Sequence, residues 1–377
     1  MKDAIGTELQ DSALNLLNYF DDHIDSEVRK RNTGLACDTP VLTQAGWKKH
    51  GDLQVGDSVY TPKGLSKVIA TKHYSDSQCM KVGFRGNQEI VCGSSHSWKV
   101  MKWNSKRAKG EKRVGWESVH NQTSQLMSNH KHPYIPVTGY SSALVDLPIE
   151  PYTLGAWLGD GDNSGGRVCG PDEKVFESIR QEGYELSESH CPTRAPFQTR
   201  TVYNLVKQLR KLNLLHNKHI PPIYFAASVG QRLALLQGLM DTDGSMSKKY
   251  GNGATFVQKK EQLSHDVLAL INSLGFRAGI CKNDVAHYVS FSIAANDMVP
   301  FRVQRKIDNI KKLKSQKQSK NWYVQSVEEC ETVPTNTIQI KDPDGIYLVG
   351  YALIPTYSKQ DSVDKYQGFR GEVKLCS

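Results

Sequence analysis

The sequence predicts a multidomain protein: an all-β domain split by an inserted α+β domain. Three observations carry this. Residues 37–145 alternate short β-type runs with turn signals, helical and strand patterns alternate over 149–312, and β character returns over 321–358. The 377 residues suffice for two or three domains.

Taken in order, residues 1–36 read as one amphipathic helix with a polar tail, its stripe formed by Ala13, Leu16, Leu17, Phe20, Ile24 and Val28. In 37–148, strands are expected at Thr39–Thr43, Ser58–Thr61, Ser66–His73, Met80–Phe84, Gln88–Cys92 and Trp98–Trp103, separated by turns such as Pro62-Lys63-Gly64 and Arg85-Gly86-Asn87. In 149–320, helices are expected at Tyr152–Leu158, Glu173–Glu182, Val202–Leu212, Val229–Met240 and Leu263–Leu274. Strands are expected there at Arg167–Cys169, Thr255–Val257, Arg277–Cys281 and Tyr288–Ile293. Residues 321–358 predict a hairpin, Thr335–Lys341 with Ile346–Val349 around Pro343-Asp344-Gly345. A polar tail, 359–377, follows.

Composition narrows the classes. No apolar run approaches the ~18 residues needed to span a bilayer. The acidic, amphipathic start (Asp3, Glu8, Asp11, Asp21, Asp22) matches neither a secretory signal nor a transit peptide. The expected setting is the cytoplasm of a prokaryotic or phage-infected cell, with no membrane partner. The formal charge of +9 permits a polyanionic partner. It concentrates in Lys106–Arg113 and Arg302–Lys320. The eight cysteines contain no C-x-x-C pair, and His216 and His219 have no cysteine pair to complete a zinc site.

One internal repeat stands out. Leu154–Gly161 (LGAWLGDG) aligns with Gln237–Gly244 (QGLMDTDG) when Gly155 is set on Gly238. Each copy ends an apolar helix with Asp-Gly, and each has a small residue four positions after the glycine, Gly159 or Thr242. Residues at i and i+4 share a helix face, so these let two helices approach closely. Gly161 and Gly244 are placed to terminate the helices. Asp160 and Asp243 should then meet at the helix ends. Paired carboxylates repel unless a cation lies between them, and an oxygen-rich site of this kind suits Mg²⁺ and phosphodiester hydrolysis. A single Asp-Gly would be an ordinary cap; two copies in small-residue helices point to a shared site. An EF-hand beginning at Asp160 is excluded, because its twelfth position is Pro171.

These segments resemble the paired dodecapeptide motifs of LAGLIDADG homing endonucleases, the second (LQGLMDTDG) more closely than the first. Asn217–Pro221 with Gln231–Leu236, and Leu263–Phe276, resemble the segments around the second motif. The resemblance implies two αββαββα-type repeats, with Asp160 and Asp243 as metal ligands beside Gly159 and Thr242. It also implies Mg²⁺ as cofactor with Mn²⁺ able to substitute, and assisting lysines for which Lys218 and Lys259 are candidates.

The flanking β segments resemble the Hint fold of inteins. Cys37-Asp38-Thr39-Pro40-Val41 is similar to the N-terminal splicing block. Cys92–His96 is similar to the histidine block, and Ile338–Val349 and Leu353–Ser358 to the C-terminal blocks. Residues 1–36 and 359–377 would be extein remnants. A Cys37 thiolate could attack the Ala36 carbonyl while His96 protonates the departing nitrogen. Two departures stand out: Gly93 occupies the usual threonine position, and the terminal His-Asn is replaced either by Tyr357-Ser358 or by Thr356-Tyr357. Neither register supplies an asparagine to cyclise, so splicing should fail at the C-terminal junction.

The implied activity is site-specific, staggered double-strand cleavage of DNA at a long asymmetric target, by a chain acting as a monomer. The alternative is a self-processing Hint protein with an inactive, DNA-binding-only nuclease domain. Phosphate contacts would fall to basic stretches that include Lys106, Arg107, Arg113, Lys248, Lys249 and Lys260, and base reading to strands near Arg167 and Thr255–Gln258.

Overall fold

Alternation of buried and solvent-facing residues shapes the β part; in Thr335–Ile340, for example, Ile338 and Ile340 point inward. A computed structural model describes residues 33–75, 78–104, 115–127, 132–190, 197–247, 252–293, 298–310 and 320–358. Lys106, Arg107, Arg113, Lys248, Lys249, the helix expected within 1–36 and the tail 359–377 lie outside these residues.

A twelve-stranded sheet runs in the order Gly46–Lys49, Pro40–Thr43, Ser58–Thr61, Gly64–Tyr74, Thr335–Ile340, Leu35–Ala36, Gln88–Gly93, Cys79–Phe84, Asn321–Cys330, Tyr134–Pro136, Ser97–Asn104, Gly115–Gln122. Strands from either end of the chain therefore interleave. The hairpin expected around Pro343–Gly345 does not form. Thr335–Ile340 pairs along its length with Gly64–Tyr74 on one edge and, at Thr335 and Asn336, with Leu35–Ala36 on the other. Ile346–Val349 pairs instead with Ile354–Tyr357.

Between these strands lie seven helices among the described residues: α1 (Pro151–Asp160), α2 (Glu173–Gln181), α3 (Leu205–Lys211), α4 (Pro222–Phe225), α5 (Val229–Thr242), α6 (Glu261–Ser273) and α7 (Gln304–Ile307). The four-stranded sheet, Gly244–Met246, Gly253–Gln258, His287–Ser292, Ala278–Lys282, follows α5 in sequence. After α1, the described residues form the antiparallel pair Arg167–Gly170 with Gln198–Thr201. Among the described residues no helix is long and apolar enough to cross a membrane.

The β framework and the helical part share one core, and buried polar contacts fix them together. Trp47 Nε1 donates to Asp266 of α6 at 2.8 Å, and the Ile220 N–H donates to the same carboxylate at 2.9 Å. Arg232 of α5, fully buried, donates to the Tyr140 carbonyl at 2.6 Å and the Ser273 carbonyl at 2.8 Å. A buried charge persists only when its donors are met, and three carbonyls and a hydroxyl meet this one. The His265 and Tyr351 rings stack at 3.8 Å.

Candidate active site

The site begins with two buried helices. Proline at its first turn starts α1, and every residue from Pro151 to Leu158 is buried. A capping box starts α5: the Gln231 N–H donates to Ser228 Oγ at 3.3 Å, and the Ser228 N–H donates to Gln231 Oε1 at 3.1 Å. The helices touch backbone to backbone. A methyl group on Gly238 would lie 2.6 Å from the Ala156 nitrogen, and one on Gly155 3.0 Å from the Leu239 nitrogen. Gly159 faces Thr242, whose hydroxyl donates back to the Gly238 and Leu239 carbonyls at 3.0 Å. The small residues at i and i+4 thus serve close approach. Gly161 and Gly244 do not act as left-handed stops: Gly161 is extended (φ −81°), and neither glycine has a positive φ. Their missing side chains make room for Trp157 and Met240 one turn back.

Asp160 ends α1 and Asp243 caps α5, so both carboxylates sit at helix C-termini. Burial pushes Asp160 above the usual carboxylate range, with Lys218 and Lys306 opposing. Asp243 is pushed up to about 6, first by burial and then by the Asp160 charge. The helix ends lie side by side, since a methyl group on Gly159 would sit 3.6 Å from the Asp243 nitrogen. Among the described residues no hydrogen bond reaches either carboxylate.

Two buried lysines flank them. Lys218 Nζ donates to the Gly159 and Gly161 carbonyls at 3.1 and 2.8 Å and lies over the Trp157 ring. Lys306 Nζ donates to the Met240, Asp241 and Gly244 carbonyls at 2.8, 2.7 and 2.7 Å. Each caps the carbonyl end of one helix, where the dipole favours a cation. Burial lowers both to about 8, against the pull of nearby carboxylates. The segment carrying Lys306 is pinned by Asp241, which accepts from the Arg302 and Val303 backbones at 3.0–3.1 Å and from the Tyr152 hydroxyl at 2.8 Å.

Lys306 is the residue that sequence reasoning missed. In sequence it is one member of the basic run Arg302–Lys320, and only its placement against a helix end separates it from its neighbours. Lys259 does not take this place: it is exposed, and its backbone N–H is held by Gln258 Oε1 at 2.8 Å. Lys260 Nζ reaches the His216 carbonyl at 3.4 Å, near Lys218 but not at the tips. Gln258 also accepts from the Lys260 N–H, closing its own strand end. Arg167 stands exposed on its strand in a two-pronged pair with Asp162, at 2.7 and 3.2 Å, which holds Asp162 down to about 2.

The β framework has its own buried centre, and it departs from expectation. His96, 2% exposed, contacts the Thr33 carbonyl through Nδ1 at 2.5 Å and the Thr356 hydroxyl through Nε2 at 2.6 Å. A carbonyl only accepts, so Nδ1 carries the proton and Nε2 accepts from Thr356. Burial lowers the ring to about 4, which keeps it neutral. The peptide facing His96 is therefore Thr33–Gly34, not Ala36–Cys37. The Ala36 carbonyl is taken by the Thr39 N–H at 3.0 Å, and the Cys37 N–H by Pro334 at 2.9 Å. Burial and the charges of Asp38 and Asp52 push the Cys37 thiol up, away from the nucleophilic thiolate. Gly34, at the peptide that His96 does face, has no side chain to attack with.

At the other junction Thr356, not Tyr357, reaches His96. The Tyr357 ring lies 4.6 Å from that of His120. The Ser358 N–H donates to Gly345 at 2.7 Å, while its hydroxyl is buried without a partner. His50, unnoticed in the sequence, is fully buried with Nε2 2.9 Å from the Tyr347 hydroxyl.

Residues 230–292 match the family described as "LAGLIDADG-like domain", so the chain carries that domain. Over 360 residues it is 28% identical to a replicative DNA helicase DnaB from Mycobacterium intracellulare, covering 88% of this chain. The chain spans about 59% of the length of that relative. Among solved structures, the MchDnaB-1 intein is 12% identical at a TM-score of 0.29, covering 86% of this chain and 99% of that one. Mesophilic variants of the homing endonuclease I-DmoI are 14% identical at 0.30, covering 43% and 94%. I-DmoI in complex with DNA and Ca is 15% identical at 0.29, covering 40% and 91%. The family match over residues 230–292 contains the second of the two repeated Asp-Gly helix ends, the one at Asp243.

Proposed function

We propose that this protein is a site-specific DNA endonuclease cutting both strands of a long asymmetric duplex, its nuclease inserted in a Hint framework as two unequal, pseudo-symmetric repeats. The observation that carries the reading is the meeting of Asp160 and Asp243 at the ends of two glycine-packed helices, unbonded and flanked by two buried lysines.

The donor set fits a hard divalent ion. Among the described residues no three His, Cys, Asp or Glu side chains gather. Two carboxylates with neighbouring carbonyls suit Mg²⁺, or Mn²⁺, which fills its remaining positions with water and phosphate oxygens. Asp160 and Asp243 would hold it, with the carbonyls of Gly159 and Thr242 each keeping a lone pair beyond the lysine contact. Such an ion, when bound, lowers the pKa of water and offsets charge on a leaving oxygen. Lys218 and Lys306 orient the carbonyl ends of the helices and set positive charge where a phosphate backbone crosses the tips. One chain contributes both tips, so a monomer suffices.

The framework, in this reading, does not splice. Neither Tyr357-Ser358 nor Thr356-Tyr357 supplies an asparagine to cyclise, and Gly34 stands at the peptide facing His96. The test is incubation of the chain with Mg²⁺ and a randomised duplex library, beside Asp243→Asn. Linear products with short staggered ends from the native chain alone support the proposal; cutting that persists in the variant overturns the site.

A further inference from the structure

Lys218 sits on residues 213–220, a strap that leaves α3 and reaches the tip of α1. Asn213 and His216 take positive φ, 54° and 58°, and backbone of this kind persists only where its surroundings fix it. Two ties flank the lysine, each two residues away. On one side the His216 N–H donates to the Asn163 carbonyl at 2.8 Å, within the first repeat. On the other the Ile220 N–H donates to Asp266 Oδ2 at 2.9 Å. Asp266 lies on α6, 1% exposed, and its other oxygen accepts from Trp47 Nε1 at 2.8 Å and Gln262 Nε2 at 2.9 Å. Trp47 belongs to the β framework, on Gly46–Lys49. A route of hydrogen bonds thus runs from framework to tip: indole to carboxylate, carboxylate to Ile220, and Lys218 Nζ to the Gly159 and Gly161 carbonyls.

Packing alone does not hold the strap there. A cleft of about 240 Å³ lies beside these bonds, walled by Trp47, His219, Ile220, Pro222, Phe225 and Asp266. The Trp47 ring meets Phe225 edge-on at 6.5 Å. A void withholds contacts that a filled interior would supply, so directional bonds fix the strap. Lys306 makes the contrast. Its segment is tied to Asp241 of α5, whose donors are Tyr152, Arg302 and Val303; among the described residues no framework group donates to that carboxylate.

We infer that Trp47 is a positioning residue for the nuclease: through Asp266 and the Ile220 N–H, the β framework sets where Lys218 lies at the Asp160 tip, while Lys306 is set without it. This deepens the nuclease reading and rests on it. Trp47→Phe keeps an aromatic ring and removes the donor. Two measurements on the full chain test it: single-turnover cleavage of a duplex recovered from the library, and hydrogen exchange followed by mass spectrometry. The variant should bind the duplex with native Kd, cut it about tenfold more slowly, and exchange faster over 216–220 with 302–307 unchanged. Asp266→Asn, which puts a donor where an acceptor is needed, should show the same pair of changes, at least as large. Lys63→Ala, whose partners Asp342 and Asp344 lie elsewhere on the framework, should show neither. A Trp47→Phe chain with native rate, or with native exchange over 216–220, overturns the inference. So does faster exchange spread equally over both segments, which marks a general loss of stability. A native chain that leaves the whole library uncut overturns the nuclease reading instead.

Discussion

Gly238→Ala is the sharpest probe of the helix crossing. Gly238 belongs to α5, and in an exposed helix interior this substitution would stabilise by about 1 kcal/mol. Here the added carbon would lie 2.6 Å from the Ala156 nitrogen and 3.0 Å from the Gly155 carbonyl carbon. Ordinary contact needs about 3.4 Å, and the opposing atoms are backbone, so the helices must part by roughly 1 Å. Overpacking of this kind costs about 1–3 kcal/mol. That cancels or exceeds the propensity gain and leaves a net loss of up to about 2 kcal/mol, which at about 2–4 °C per kcal/mol for a domain of this size lowers Tm by up to about 4–8 °C. Gly230→Ala, in the first turn of the same helix, meets nothing within 4 Å and should raise Tm slightly. Differential scanning calorimetry of both variants decides the matter. Equal rises in Tm would refute a glycine-to-glycine crossing.

The two buried histidines set an acid limit. His50 and His96 are held down to about 3 and 4 by burial, below the ~6.5 of an unfolded chain. From pH 6.5 down to those values the unfolded chain binds protons that the folded one refuses. Stability is therefore full above pH 6.5 and lost as pH falls, by about 1.4 kcal/mol per group and unit. Urea midpoints measured from pH 7 to 4.5 should fall less in His96→Gln than in the native chain; parallel curves would contradict this. At the junctions, intact mass after incubation with dithiothreitol should be unchanged, with Cys37→Ala indistinguishable from native. A fragment ending at Ala36 would revive a Cys37 thioester.

The repeat was legible in the sequence because close helix packing needs small residues at fixed spacing, and Gly155, Gly159, Gly238 and Thr242 keep that spacing. The helix ends shifted by only a few residues; α5, expected to stop at Met240, runs on to Thr242. Lys306 was not legible, since a lysine that reaches buried carbonyls looks in sequence like any member of a basic run. The target of His96 was hidden too. Cys-Asp-Thr drew attention to Cys37, and only the fold brings Thr33 and Thr356 to the two ring nitrogens. The hairpin misreading has the same origin. Local turn chemistry at Pro343–Gly345 suggested adjacent partners, whereas Thr335–Ile340 finds both of its partners far away in sequence.

The central claim is that both helix tips contribute to one cation site, and Mn²⁺ counting reads it directly. Electron paramagnetic resonance of the chain titrated with Mn²⁺ on cleavable duplex should show tightly bound ions that disappear in Asp160→Asn and equally in Asp243→Asn. Full Mn²⁺ occupancy surviving in either single variant would contradict a shared site.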